Sequence, residues 1–184
     1  MGYRRLFIWV EGEDDKRFFE KIIEPKLRKK YNFAETRCYA ALKKEKIDNF
    51  LKSIKAMGAD YIYVTDINNS PCVTAKKQET QSKFRNIDKE RIIVVIKEIE
   101  SWYLAGLGNT EAERFKIPIF SVTDTITKEQ FNSSIPKTFD SRIDFLLEIL
   151  KIFSIEISKQ KNRSFRHFME EYNCEASENI GNGT

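Results

Sequence analysis

The sequence predicts an α/β domain built on a largely parallel sheet, and three observations carry that expectation. Short apolar runs alternate with amphipathic helical stripes in the order β-α-β-α-β-α-β-α. Two of the runs are apolar at every residue, as strands covered on both faces are. At 184 residues, with 41% hydrophobic and 33% charged residues, the chain is long enough to bury a core and too apolar for wholesale disorder.

Residues 6–10 are the first strand, a continuous apolar run that follows Arg4 and Arg5. Residues 14–30 place Phe18, Phe19, Ile22, Ile23 and Leu27 at helical spacing, and Pro25 is expected to bend or interrupt that helix. Residues 36–41 are a weaker strand. Ile47, Phe50, Leu51, Ile54 and Met57 make a second helical stripe that stops at Gly58. Residues 61–64 combine β-branched and aromatic side chains and run into Thr65 and Asp66. A loop at 68–71 and a polar helix over about 74–84 follow. Residues 92–96 are consecutively β-branched, the clearest buried strand, and 98–104 then turns helical.

Beyond about residue 107 the pattern loosens. Residues 117–122 read as a further strand, and 143–153 as an amphipathic helix with Phe145, Leu146, Ile149 and Leu150 inward. Residues 163–172 read as a last helix. The chain then divides into a core over 1–107, a mainly helical extension packed on it over 108–172, and a disordered tail over 173–184. The sheet is expected to hold about four or five strands, with helices on both faces.

Composition narrows the chemistry. Cys38, Cys72 and Cys174 lie far apart, which argues against a disulfide framework or a zinc ribbon and fits a cytoplasmic location. His167 is the single histidine, so zinc sites and Ser-His or Cys-His nucleophiles are poorly supplied. No run approaches the ~20 apolar residues of a membrane span. Acidic residues from Glu11 to Asp15 follow the first apolar run with no small-residue cleavage site, unlike a signal peptide. The net charge of +4 permits an affinity for phosphates without establishing one.

What remains is a pattern of carboxylates. Three strands run straight into an acid: Glu11, Asp66 and Glu98. In a parallel sheet the C-terminal strand ends share one edge, where ligands bind. Asp15 lies one helical turn after Glu11, Asn68 two residues after Asp66, and Glu100 two after Glu98. Crowded carboxylates raise one another's pKa unless a cation sits among them. Oxygen ligands without His or Cys select Mg²⁺ or Mn²⁺. Any one of these acids could instead cap the next helix; it is their joint spacing that favours a site.

Lys43, Lys44 and Lys46, with Lys76 and Lys77, follow the second and third strands, where they either hold phosphates or are simply solvated. Gly12 permits close backbone approach to a phosphate. Arg163 and Arg166 are better phosphate contacts than His167, because they stay charged. Core packing is favoured over base stacking for Trp102 and Tyr103. Cys72 sits in a loop near the acids with no histidine in reach to activate it.

Val10-Glu11-Gly12-Glu13-Asp14-Asp15-Lys16-Arg17-Phe18-Phe19 resembles the opening motif of Toprim domains, where a hydrophobic strand ends in Glu-Gly and a helix follows. Topoisomerases, bacterial primases, ribosomal-RNA maturases and OLD-type nucleases share that domain. An acid four residues after the glutamate is similar to the OLD-type branch and its small relatives. Val64-Thr65-Asp66-Ile67-Asn68 stands where those families carry Asp-x-Asp. The stretch 97–105 resembles a Glu-x-Glu-x-Trp segment, and 163–168 a late segment, of the small relatives. The resemblance covers residues 5–105.

It implies a Rossmann-like Toprim fold and Mg²⁺- or Mn²⁺-dependent phosphodiester chemistry, most naturally a nuclease acting on DNA or RNA. Glu11 would be the general acid/base or a metal ligand, and Asp15, Asp66 and Glu98 or Glu100 would bind metal. Asn68 departs from the pattern: its amide oxygen can still ligate magnesium, but the site loses one negative charge. Lys43 or Lys44 could neutralise charge developing on the phosphate, and Lys76, Lys77, Arg163 and Arg166 could contact nucleic acid. The alternative is a non-catalytic nucleic-acid or nucleotide-binding accessory, paired with an ATPase partner as the OLD-type resemblance suggests. A third reading leaves the acids as helix caps.

Overall fold

The computed structural model describes residues 2–172 and Cys174; the remainder of the expected tail lies outside the described residues. Four strands, β1 (Arg5–Val10), β2 (Phe33–Cys38), β3 (Asp60–Asp66) and β4 (Ile92–Val95), pair in parallel in the order β2-β1-β3-β4. After β2 the chain returns past β1 to lay down β3 on the other side. The order therefore reverses between β1 and β3, and the crevice above that point is where open parallel sheets bind ligands. The expected α/β architecture is the one observed.

Side chains alternate between the two faces of the sheet. Leu6, Ile8 and Val10 of β1 join one buried cluster, while Trp9 belongs to the other with Tyr61, Tyr63, Ile92 and Val94. That second face is covered by α3 (Lys44–Ala56), which contributes Ile47, Leu51 and Ile54, and α4 (Val73–Lys83) follows β3. The first face is the larger. It receives the helix after β1 and also the later helices, through Phe145, Leu146 and Ile149 of α8 (Arg142–Lys151) and Phe165, Phe168 and Met169 of α10 (Arg163–Glu171). Residues on either side of position 107 thus share one core. Trp102 and Tyr103 of α5 (Glu100–Ala105) are fully buried within it, and their packing is the role the sequence favours.

The helix expected over 14–30 has an interrupted course. It starts as α1 (Glu13–Phe18), widens into a π-helical stretch (Phe19–Ile23) and continues as α2 (Glu24–Leu27). Pro25, with no N–H to give, sits at the point where the wider turn ends, so the missing hydrogen bond is absorbed there rather than by a break.

One expectation is corrected. Residues 117–122 are not a strand: they belong to an irregular connection between α6 (Asn109–Phe115) and α7 (Lys128–Ser134). Lys116 ends α6 in the left-handed region at φ 58°, and Pro118 removes a ladder donor. Ile119 and Val122 are exposed. Their apolar character misled because no strand among the described residues pairs with them.

A buried polar knot ties this connection down. The Asn162 Nδ2 donates to Thr123 Oγ1 at 3.1 Å and to Ser101 Oγ at 3.3 Å, while Asn162 Oδ1 accepts from Ser164 Oγ at 2.8 Å and the Phe165 N–H at 3.0 Å. Asn162 precedes α10 and caps it, so the knot sets where α10 starts relative to β4.

Candidate functional site

The strand ends carry the acids to one edge. Glu11 follows the last residue of β1, Asp66 is the last of β3, and Glu98 and Glu100 lie just beyond β4 at the start of α5. Asp15 sits in the first turn of α1 and accepts the Gly12 N–H at 3.1 Å, which pins the turn directly after Glu11. Glu11 is exposed, whereas Asp15 and Glu100 are buried.

Electrostatics shows how tightly the edge is drawn together. Burial raises the Asp15 carboxyl to about 7, with Glu100 and Glu11 adding to the rise. Burial pushes Asp66 up to about 8, helped by the charges of Asp15, Glu11, Glu100 and Glu98. Asp66 therefore feels four other acids singled out in the sequence, drawn from three strand ends. Neither Asp15 nor Asp66 has an ion-pair partner among the described residues.

The two acids after β4 are differently placed. Glu100 accepts from Arg142 Nη2 at 2.5 Å, and the same guanidinium bonds through Nη1 to Asp14 and through Nε to Asn132 at 2.9 Å. Burial raises the Glu100 carboxyl while the Arg142 charge pulls it down. Glu98 accepts the Lys128 N–H at the start of α7. It does cap a helix, though one 30 positions away rather than the next in sequence. Arg142 and Lys128 were not singled out from the sequence. They stand 42 and 30 positions from the acids they meet, and no local pattern links them.

The donor chemistry suits a hard divalent ion: carboxylate oxygens only, two of the acids having no ion-pair partner among the described residues. The ligand shell is not ready-made. Among the described residues, no three His, Cys, Asp or Glu side chains are grouped so as to hold a metal ion as they stand. Side-chain rotation toward the crevice would have to complete the shell.

Other candidates lie elsewhere. Asn68 is exposed at φ 48° and lines a polar hollow of about 660 Å³ with Lys76 and Glu79, with no bond to the acids. The Lys76 side chain is buried, with its Nζ 3.9 Å from Glu79. Lys43 is the exposed N-cap of α3, five residues after Cys38 ends β2; the connection between them passes the acids, since the Ala40 N–H donates to the Glu11 carbonyl at 3.2 Å. Lys44 is exposed and lines a separate hollow together with Asp48 and Lys83. Lys77 and Arg163 line one further cavity together, while Arg166 is exposed on α10 outside it. Cys72 caps α4, accepting the Ala75 N–H at 3.5 Å. Among the described residues no disulfide forms, and no helix is long and apolar enough to cross a membrane.

No family model matches the chain, and no curated protein matches it. Among solved structures, the C-terminal region of the Burkholderia pseudomallei OLD protein is similar at 13% sequence identity with a TM-score of 0.39, over 93% of this chain and 98% of that one. A likeness of that size carries no argument about this chain's fold or chemistry.

Proposed function

We propose that the carboxylate edge performs metal-dependent phosphodiester chemistry on nucleic acid, with hydrolysis as its reaction. The observation that carries this reading is the pair Asp15 and Asp66. They are held to about 7 and about 8 by burial and by neighbouring acids, with no ion-pair partner among the described residues, at the point where the strand order reverses. Glu11, Asp15 and Asp66 would hold Mg²⁺ or Mn²⁺, with Glu98 and Glu100 joining on release from Lys128 and Arg142. Bound there, the ion supplies Lewis-acid polarisation of the phosphate.

The chain's own groups supply the rest. Glu11 is exposed, so its carboxylate can reach a water or a leaving oxygen and exchange a proton with it. Asp15 fixes the Glu11-Gly12 turn through the Gly12 N–H. Lys43, exposed at the end of the connection that passes Glu11, would neutralise charge on the phosphate, whereas Lys44 lines a separate hollow. Cleavage of labelled single-stranded and duplex DNA and RNA with Mg²⁺ or Mn²⁺ tests the reading. Glu11→Gln and Asp66→Asn should each slow it about 10²- to 10⁴-fold with the circular dichroism spectrum unchanged; full activity in both variants would overturn the mechanism.

A second reading draws on Arg142 and Lys128. Because the chain already partners Glu100 and Glu98, the domain could act as a non-catalytic nucleic-acid or nucleotide-binding accessory, alongside an ATPase. Binding that persists in chelator, weakening with salt as phosphate contacts do, would favour it.

A further inference from the structure

β4 is an edge strand, and its outer side opens on a cavity of about 280 Å³ between α4 and α10. The floor is apolar: Val73, Ile93, Val94 and Ile96. The rim carries two cations, Lys77 from α4 and Arg163 from α10, beside the His167 imidazole, whose Nε2 lies 3.6 Å from a Glu171 carboxylate oxygen. Lys77 has no ion-pair partner among the described residues. Arg163 is steered by Asp124, which accepts its N–H at 2.8 Å and its Nε at 3.0 Å, leaving the Nη groups on a side chain that is 74% exposed.

The strand edge adds directional groups. In a parallel ladder the N–H and C=O of one residue point the same way, and successive residues alternate. The Val95 carbonyl accepts the Ile67 N–H and so faces β3. The backbone groups of Val94 and Ile96 are turned outward, as the bond from the Ile96 N–H to Ser164 Oγ at 3.3 Å confirms. Ser164, also held by Trp102 Nε1 at 2.8 Å, thereby closes the edge at Ile96. One donor–acceptor pair, that of Val94, is left facing the cavity. A single pair is too little to add a peptide strand and matches the edge of one base.

We infer that this cavity is a nucleotide site. A base lies on the apolar floor with its edge to Val94, and its phosphate rests on Lys77 and Arg163, beside His167. The site stands whether or not the carboxylate edge holds metal. The same chemistry could come from a free nucleotide or from one unit of a nucleic-acid strand.

Calorimetry of the full chain in EDTA, with AMP, inorganic phosphate and a short oligo(dA) as separate probes, tests this. AMP should saturate, with inorganic phosphate at least about tenfold weaker. Lys77→Gln should weaken AMP about tenfold, the loss of one charged hydrogen bond, while Lys89→Gln, outside the cavity, leaves it unchanged. Thermal melts establish that both variants fold. An oligonucleotide that competes with AMP identifies a strand as the source of the nucleotide; AMP binding without competition identifies a free nucleotide. The inference is overturned if neither AMP nor oligonucleotide binds, if phosphate binds as tightly as AMP, or if Lys89→Gln weakens binding as much as Lys77→Gln.

Discussion

The carboxylate edge has two halves that differ in how their charge is met. At the ends of β1 and β3, Asp15 and Asp66 are drawn inward without an ion-pair partner among the described residues, and their carboxyls rise to about 7 and about 8. Beyond β4, Glu100 is as buried as Asp15, yet a guanidinium from α8 sits on it, and Glu98 is held by a backbone N–H of α7. The sheet delivers acids of one sign to both halves. The helical region compensates only one of them. The open half is where an external cation has most to gain, because it would relieve repulsion that no ion pair among the described residues relieves.

The sharpest way to break this contrast is to strip the compensated half. Arg142→Ala should cost on the order of 3 kcal/mol in denaturant unfolding, since it leaves the Glu100 charge buried and unpaired. Arg142→Met with Glu100→Gln should recover most of that loss. If the single variant is as stable as the wild type, Arg142 is no counter-ion.

The open half should show the opposite behaviour. A carboxyl raised in the folded state contributes most below its unfolded pKa of 3.8 and loses that contribution as pH climbs through its folded value, here about 8 for Asp66. Stability should therefore fall between about pH 4 and pH 8. Asp66→Asn should flatten that fall and be more stable than the wild type at about pH 9, by on the order of 2 kcal/mol. Thermal melts across pH check this, and an unchanged slope in the variant would count against it.

Glu98→Gln should have the smallest effect, about 1 kcal/mol or less, because it weakens only a charge-to-helix contact at a partly exposed site. A loss as large as that of Arg142→Ala would mean that the two halves are not separable.

Much of the open half was legible in the sequence. Strand-length apolar runs ending in Glu11 and Asp66, with Asp15 one turn on, need only the rule that parallel strand ends share an edge. The compensated half was not legible, because Arg142 reaches Asp14 across 128 positions and Glu100 across 42. Such contacts depend on how α7 and α8 dock, and no periodicity encodes docking. The same limit hid the cavity beside β4. Arg163 was visible as a basic residue, but its meeting with Lys77 depends on the knot at Asn162. Residues 117–122 failed for a related reason, since an apolar run becomes a strand only where a neighbour pairs with it. Asn68 was judged by its spacing from Asp66, yet the turn at φ 48° carries it out to solvent.

The most direct test is calorimetric titration of Mg²⁺ and Mn²⁺ into the wild type and Asp66→Ala in parallel, repeated with a short oligonucleotide present. The expected result is saturable binding in the wild type that disappears in Asp66→Ala. A wild type that binds neither ion, with or without the oligonucleotide, would contradict the claim that the open half of the edge is a cation site.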